Sequence, residues 1–438
     1  MKQLRHLSLF AVLLVVALGM SSCGIYGKYK PQTTEEQDSI KVPSYRDIFN
    51  DPYLLDLIDT ALARNYDLKM AYERVEQAKA SLLGAKLAFL PSISASPSVT
   101  WSKSVGSMSP GLSYGIGQAS WEIDIFGRLL NKKRIAAASK KEMEDYYQAT
   151  RVELIASVAE TYYTLLMLDA QLATAEAAVV TWAQSIETMK AMKEAAMTDE
   201  AAVVQFEGSY YSSLALVKTY KLSLVQAENA MTVLLAREIG SVTPRGKLLE
   251  TAQNLTPINE LDLQVVRIRP DVKQAERQLE QAFYGLNLAR ANCCPSITLS
   301  GTLGWNGGLI FSAVGSLLQP IFNSGKNIAE VRSAKHQLQE YQYNYSKALL
   351  VAGTEVNYAL AARKLYFDKI IDYERQVQTL IKAVDITKTK MDYGTGTYLE
   401  VLTAQNDLLS AQLSAISNYM NVLQSGSDLF RALGGGKQ

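Results

Sequence analysis

Three cysteines and two histidines are the residues of this 438-residue chain with the strongest affinity for metals and electrophiles, and their placement argues against catalysis. His6 lies in an N-terminal segment that reads as cleavable, which leaves His336 alone. One imidazole supports neither a proton relay nor a His-rich metal site. Cys293 and Cys294 are adjacent and precede Pro295. Neighbouring thiols form a strained bridge and cannot build a disulfide framework. A redox or metal pair is one reading; small apolar fillers at a helix end is the reading favoured here. No Gly-rich phosphate loop, metal-ligand spacing or nucleophile–base triad can be traced. The 12 Met are scattered and form no copper-relay cluster. The expectation is therefore no enzyme, no metal and no cofactor. Lys+Arg total 44 against 43 Asp+Glu, so no nucleic-acid partner is expected. Tyr, at 24 against 10 Phe, points to many surfaces that are half apolar and half wet.

Cys23 has a different context. Lys2 and Arg5 make a basic start, and Leu7 to Leu18 is an apolar run too short to span a bilayer comfortably. The sequence then reads Met20-Ser21-Ser22-Cys23-Gly24. Small residues before a Cys resemble the lipobox of bacterial lipoproteins, where cleavage leaves the Cys as an acylated, palmitate-bearing N-terminus. An ordinary signal peptide with an incidental Cys is the competing reading. Two or more acyl chains would hold the chain on a membrane, whereas one is marginal. Residues 1–22 are thus a signal peptide and 23–51 an N-terminal tether.

An internal repeat organises the remainder. Asp67-Leu68-Lys69-Met70-Ala71 aligns with Asp271-Val272-Lys273-Gln274-Ala275, and in the same register Glu76-Gln77-Ala78 aligns with Glu280-Gln281-Ala282. Pro91-Ser92-Ile93 aligns with Pro295-Ser296-Ile297, and Trp101 with Trp305. Residues 52–240 and 263–438 form a tandem duplication joined by a linker over 241–262, where Pro244 and Pro257 flank an irregular stretch. Each half reads helix, two strands, very long helix, helix. Ile93, Ala95, Pro97, Val99 and Trp101 alternate with Ser and Thr, as Ile297, Leu299, Leu303 and Trp305 do. Such runs of about eleven residues suit tilted transmembrane strands. Strands are expected near 92–102, 112–125, 296–305 and 309–321, the return strands alternating less cleanly. The small hydroxyl face suits a wet lumen.

Prolines are absent between Pro110 and Pro244 and after Pro320, as long helices require. Leu165, Leu168, Leu172, Ala175, Val179, Trp182, Ile186 and Met189 recur at spacings of three and four, as do Ile370, Tyr373, Val377, Leu380, Val384, Thr387 and Met391. That seam specifies left-handed coiled-coil packing. Residues 128–195 would make a helix about 100 Å long, with antiparallel partners near 199–240 and 397–432. Four strands cannot close a membrane barrel, and an open edge in lipid costs several kcal/mol per unpaired group. Copies must pool their strands: two would give a filled barrel, three a passable lumen.

The run Arg269-Pro270-Asp271-Val272-Lys273-Gln274-Ala275-Glu276, with Ala289-Arg290 and Pro295-Ser296-Ile297 after it, resembles the signature of TolC-like outer-membrane factors in their NodT-like lipoprotein branch. Asp124-Ile125-Phe126-Gly127-Arg128, Pro320-Ile321-Phe322 and Ala432-Leu433-Gly434-Gly435-Gly436 are similar to it as well. The resemblance implies an α+β membrane protein: a homotrimer with a twelve-stranded β-barrel, four strands per protomer, continued by a coiled-coil periplasmic tunnel. It implies a passive export conduit in the outer membrane, docking to a periplasmic adaptor and an inner-membrane pump and opening at its periplasmic tip. Asp392-Tyr393-Gly394-Thr395-Gly396-Thr397 would be one tip turn and Met197-Thr198-Asp199-Glu200 the other, the latter lacking the usual glycine. By the resemblance, Glu400 and Asp392 would form an acidic gate ring, with Thr403 where a second acid is usual. Gly394, Thr395, Gly396, Thr198 and Asp199 would face the adaptor. A solvated coiled-coil flank is the competing reading of Glu400. For the whole chain, a lipid-anchored, non-conducting scaffold is the competing function. The exported substrate cannot be read from the sequence.

Overall fold

The computed structural model describes residues 24–31, 43–102, 111–253, 263–305, 309–318 and 324–435. The signal segment, Cys23, the turn Asn306-Gly307-Gly308, Pro257, Pro320-Ile321-Phe322 and Gly436 lie outside them. The helices are α1 (Tyr45–Ile48), α2 (Pro52–Arg64), α3 (Tyr66–Leu87), α4 (Arg128–Glu194), α5 (Glu200–Leu235), α6 (Leu248–Gln253), α7 (Pro270–Ala291), α8 (Lys326–Asp392) and α9 (Tyr398–Ala432). The strands are β1 (Ser92–Ser102), β2 (Gly111–Ile123), β3 (Ser296–Trp305) and β4 (Leu309–Leu318). The chain divides into two compact units. One holds Tyr72–Tyr146, Asp271–Ala348 and the described N-terminal residues up to 31; the other holds Tyr147–Pro270, Leu349–Gln438 and the stretch ending at Ala71.

The first unit carries an antiparallel sheet in the order β1-β2-β3-β4. β2 is irregular for a physical reason. Its pairing to β3 runs Gly115↔Gly304 and then Gly117↔Leu303, so one residue is extra and the side-chain parity resets. That reset is why alternation read along β2 looks impure. β1 shifts register between Ala95 and Ser98, around Pro97, which has no N–H to give to the ladder. A Cβ on Gly117 would lie 3.2 Å from the Ser94 carbonyl oxygen.

In the second unit, Leu54 and Ile58 of α2, Ile155, Tyr162 and Leu166 of α4, Met231 of α5, and Leu423 and Phe430 of α9 share one core. α4 and α8 are each 67 residues long. On α4, Leu165, Leu168, Ala175, Trp182, Ile186 and Met189 are buried, the rest of the seam half-buried. On α8 only Met391 of the seam is buried; Ile370, Tyr373, Val377, Leu380, Val384 and Thr387 are half-buried.

Several boundaries differ from expectation. The single helix expected before β1 is two, broken at buried Asn65, whose Oδ1 accepts from the Leu68 N–H and whose Nδ2 donates to the Leu234 carbonyl. The stretch expected to be an irregular linker contains α6, because Leu248 and Ala252 share a face and enter the core. α5 stops at Leu235, short of 240, because Ala236 adopts φ 47. β2 ends at Ile123, ahead of 125, and the described part of β4 ends at Leu318.

Candidate functional site

The sheet separates two chemistries. Across one face run the pairs Ser94↔Gln118 and Gln118↔Thr302, then Thr302↔Ser312; beside them lie Ser92↔Ser120 and Ser120↔Ser300. Thr302 and Ser312 hydroxyls hydrogen-bond each other, and Ser316 Oγ donates to the Thr298 carbonyl at 3.2 Å. On the other face, Trp121 pairs with Leu299, Ile297 with Leu317 and Leu303 with Phe311. These apolar side chains are uncovered: Ile93 is 84%, Phe311 74% and Leu317 68% exposed. The sheet therefore offers one surface to hydrocarbon and another to water, while the outer edges of β1 and β4 have no partner strand among the described residues.

Below the sheet, Gly127 at φ +69 turns β2 into α4. Asp124 caps that helix by accepting the Leu129 and Leu130 N–H groups at 3.0 and 2.7 Å, and Glu122 pairs with Arg128. The residues after Cys23 are fixed to this elbow, which sequence reasoning missed. Ile25 is buried, its carbonyl accepts from Asn131 Nδ2 at 3.1 Å, and the Tyr26 hydroxyl donates to the Ile125 carbonyl. Arg134 donates to the Gly27 carbonyl at 3.1 Å. No short sequence signal marks these contacts, because the partners are about a hundred residues away. Further along α4, burial pushes the Asp145 carboxyl up to about 6, against the opposing pull of Arg277, 3.5 Å away, and of Lys273.

The two helical turns expected at the tip share one core of Trp182, Ile186, Met189, Phe206, Met391 and Val401. In the second turn Gly394 has φ +68, and the Gly394 and Gly396 N–H groups donate to the carbonyls of Met391 and Lys390. A Cβ on Gly396 would sit 2.8 Å from Lys390 Cβ, so only glycine fits. Thr395 Oγ1 donates to the Lys390 carbonyl at 3.1 Å. In the first turn the left-handed position that Gly394 holds in the second falls on Ala196, φ 58, in spite of its Cβ. Asp199 caps α5 by accepting from Ala202, and Thr198 is half-buried before it.

Glu400 is tied into its own turn. Its N–H donates to Thr397 Oγ1 at 3.4 Å in a capping arrangement, and Lys390 Nζ lies 3.8 Å from its carboxylate. Asp392 and Thr403 are exposed nearby in sequence. Lys390 and its first-half counterpart Lys193, paired with Glu200, were not foreseen. The signal was legible: each is a basic residue in the last turn of a long helix, facing an acid that opens the next. Among the described residues no cluster of His, Cys, Asp and Glu could hold a metal; Cys293 and Cys294 are half-buried, their thiols turned to the carbonyls of Ala289 and Arg290.

The sequence model of the outer membrane efflux protein family matches residues 57–237 and 264–435. The chain belongs to that family. The toluene efflux pump outer membrane protein TtgI of Pseudomonas putida is 27% identical over 426 residues, covering 93% of this chain and 90% of that one. The cation efflux system protein CusC of Escherichia coli O157:H7 is 27% identical over 452 residues, covering 97% and 98%. A solved structure of CusC superposes with a TM-score of 0.83 at 25% identity, covering 94% of this chain and 99% of that one. The open-state MtrE channel of Neisseria gonorrhoeae gives 0.79 at 26% identity, covering 94% and 97%. The fold is thus that of outer-membrane efflux channels, and this efflux protein serves in the outer membrane as the channel component of an efflux system.

Proposed function

We propose that the efflux protein works as a homotrimer whose three sheets close one twelve-stranded barrel, continued by a helical tunnel that docks to a periplasmic adaptor and an inner-membrane pump. The observation that carries this is the amphipathic four-stranded sheet whose outer edges have no partner strand among the described residues. Backbone groups on an edge cannot face hydrocarbon, so the edge of β1 requires the edge of β4 from another copy. The helices support the same reading. α4 contains a stretch apolar enough to cross a membrane by composition, yet only 28% of it is buried within the protomer. The half-buried α8 seam likewise leaves surface for a neighbouring copy. The chain supplies no energy source; it conducts what a pump delivers. Purified mature protein in detergent should have the mass of three chains and conduct in planar bilayers. A monomer stable in water without detergent would sink the reading, and a trimer without conductance would favour the anchored scaffold.

Within this reading Cys23 bears the lipid, and Glu400 and Asp392, with Thr403 beside them, ring the periplasmic entrance and favour cations. Gly394, Thr395, Gly396, Thr198 and Asp199 form the adaptor-facing tip. Lys390 beside Glu400 supports a second reading, in which Glu400 is a capping residue whose charge is offset locally. Single-channel recording separates them. Glu400→Ala should shift conductance or cation selectivity if Glu400 lines the entrance; unchanged current and selectivity leave it only the capping role. Replacing Cys23 with Ser should abolish radiolabelled palmitate incorporation.

A further inference from the structure

Where α2, α4 and α6 meet, Asp51, Tyr53, Tyr163, Lys247, Glu250 and Thr251 line a cavity of about 180 Å3. Its floor holds an unused hydrogen bond. Tyr163 is 2% exposed and its hydroxyl has no hydrogen-bond partner among the described residues; unlike the unpartnered oxygens of Tyr29 and Ser427, it is not sealed from solvent. The sliver of Tyr163 left accessible is therefore at its hydroxyl, in the cavity wall. Asp51 shares the cavity and is half used. Its Oδ2 accepts from the Tyr162 hydroxyl at 2.7 Å and has Thr251 Oγ1 at 3.1 Å, whereas among the described residues its Oδ1 takes only the Tyr53 N–H, at 2.9 Å. A carboxylate oxygen accepts two hydrogen bonds, so Oδ1 keeps a vacant lone pair. A buried hydroxyl without a partner is costly, and a ligand that completes it gains what the protein forfeits.

We infer that this cavity binds one neutral pyranose ring, with two adjacent hydroxyls bridging Tyr163 and Asp51. The ligand must accept the Tyr163 proton and donate to Asp51 Oδ1. Hydroxyls do both; an ammonium carries donors only, and a phosphate or carboxylate sets its charge against that of Asp51. Lys247 does not reverse that balance, because its Nζ is paired with Glu250 at 3.4 Å. Size fixes the number of rings: a cavity of roughly 150 Å3 takes one benzene, so about 180 Å3 admits one six-membered ring and excludes two. Tyr53, 49% exposed at the rim, offers a flat apolar face to the C–H edge of such a ring. Pro52, Lys247 and Glu250 are exposed as well, so a ring that ends a longer glycan enters with its chain outside. An occupied site braces the start of α2 against α4 and α6.

The probe is methyl β-D-glucopyranoside, followed by saturation-transfer NMR on the full mature protein in lauryldimethylamine oxide, a detergent with no sugar headgroup to compete. Saturation should pass to the ring protons, and titration should give a Kd in the millimolar range. Cyclohexanol, of the same ring size with one hydroxyl, cannot bridge and should bind roughly three- to tenfold more weakly. Tyr163→Phe should weaken the glucoside by the same factor without lowering the unfolding temperature, because the lost hydroxyl has no partner in the folded chain. A purely structural tyrosine would give the reverse pattern. Tyr53→Ala, at an exposed position, should weaken binding too. Competition by cellotriose supports the ring at the end of a glycan; failure to compete supports the free sugar. No transfer to the glucoside at saturating concentration, cyclohexanol binding as tightly, or unchanged binding in Tyr163→Phe would each overturn the inference.

Discussion

Arg269 is charged and almost wholly buried, with its Nη1 donating to the Ala432 carbonyl at 3.0 Å and its Nη2 paired with Glu355 at 2.6 Å. Pro270 and Gly434 meet directly, since a Cβ on Gly434 would lie 2.9 Å from Pro270 Cδ. Two motifs quoted separately from the sequence are thus halves of one contact. Their residues were legible; their partnership was not, because 163 positions separate them and no local periodicity records that distance. Arg269→Ala should cost about 3 kcal/mol by stranding its partners, measured by thermal unfolding of the detergent-purified protein. Gly435→Ala should be comparably damaging: Gly435 sits at φ +52, and a Cβ would lie 2.7 Å from both Phe430 and Val152. Asp145 gives a pH dependence. Burial, working against Arg277 and Lys273, raises its folded pKa from an ordinary 3.8 to about 6, with Glu144 adding to the rise. Its contribution to stability is therefore fullest below 3.8 and is lost as pH climbs through about 6. Unfolding temperature should fall between pH 5 and 7.5, and Asp145→Asn should flatten that slope. An identical slope in the variant would assign the effect to other groups.

At the scale of elements, alternation and heptads exposed most of the architecture before any coordinates. β1 and β3 were read within a residue of their ends, because each strand separates apolar from hydroxyl side chains without interruption. β2 was blurred by its extra residue, which inverts parity at Gly117 and cannot be distinguished from noise in a single strand. The break at Asn65 was missed for a related reason: the local pattern stays helical, and only a buried side chain satisfying the Leu234 carbonyl ends one helix and starts another. Val99 is 65% exposed in the single chain and shares a strand face with Ile93. Val99→Arg should therefore cost about 2–4 kcal/mol per protomer if that face meets lipid near the midplane, seen as lost assembled protein in outer membranes. Wild-type yield would show that this face does not touch hydrocarbon.

For the whole molecule, uncovered apolar surface is the feature that sequence and structure describe together. Sequence reasoning reached the oligomer by arithmetic on strands; the structure adds helix surfaces that a protomer leaves unfinished. Leu380→Asp, on the half-buried α8 seam, should reduce the assembled species on native gels. An unaffected oligomer with a destabilised protomer would assign that seam to intrachain packing. The entrance was read incompletely: Lys390 changes what Glu400 means, and its place in the last turn of α8, ahead of an acid that opens α9, was a signal passed over. The junction at Arg269 also bears on biogenesis. An elongating polypeptide emerges with that guanidinium bare; its acid partner, Glu355, follows 86 residues later, and the Ala432 carbonyl only after 163. The second unit can thus close over that charge in full only once its last helix has been made.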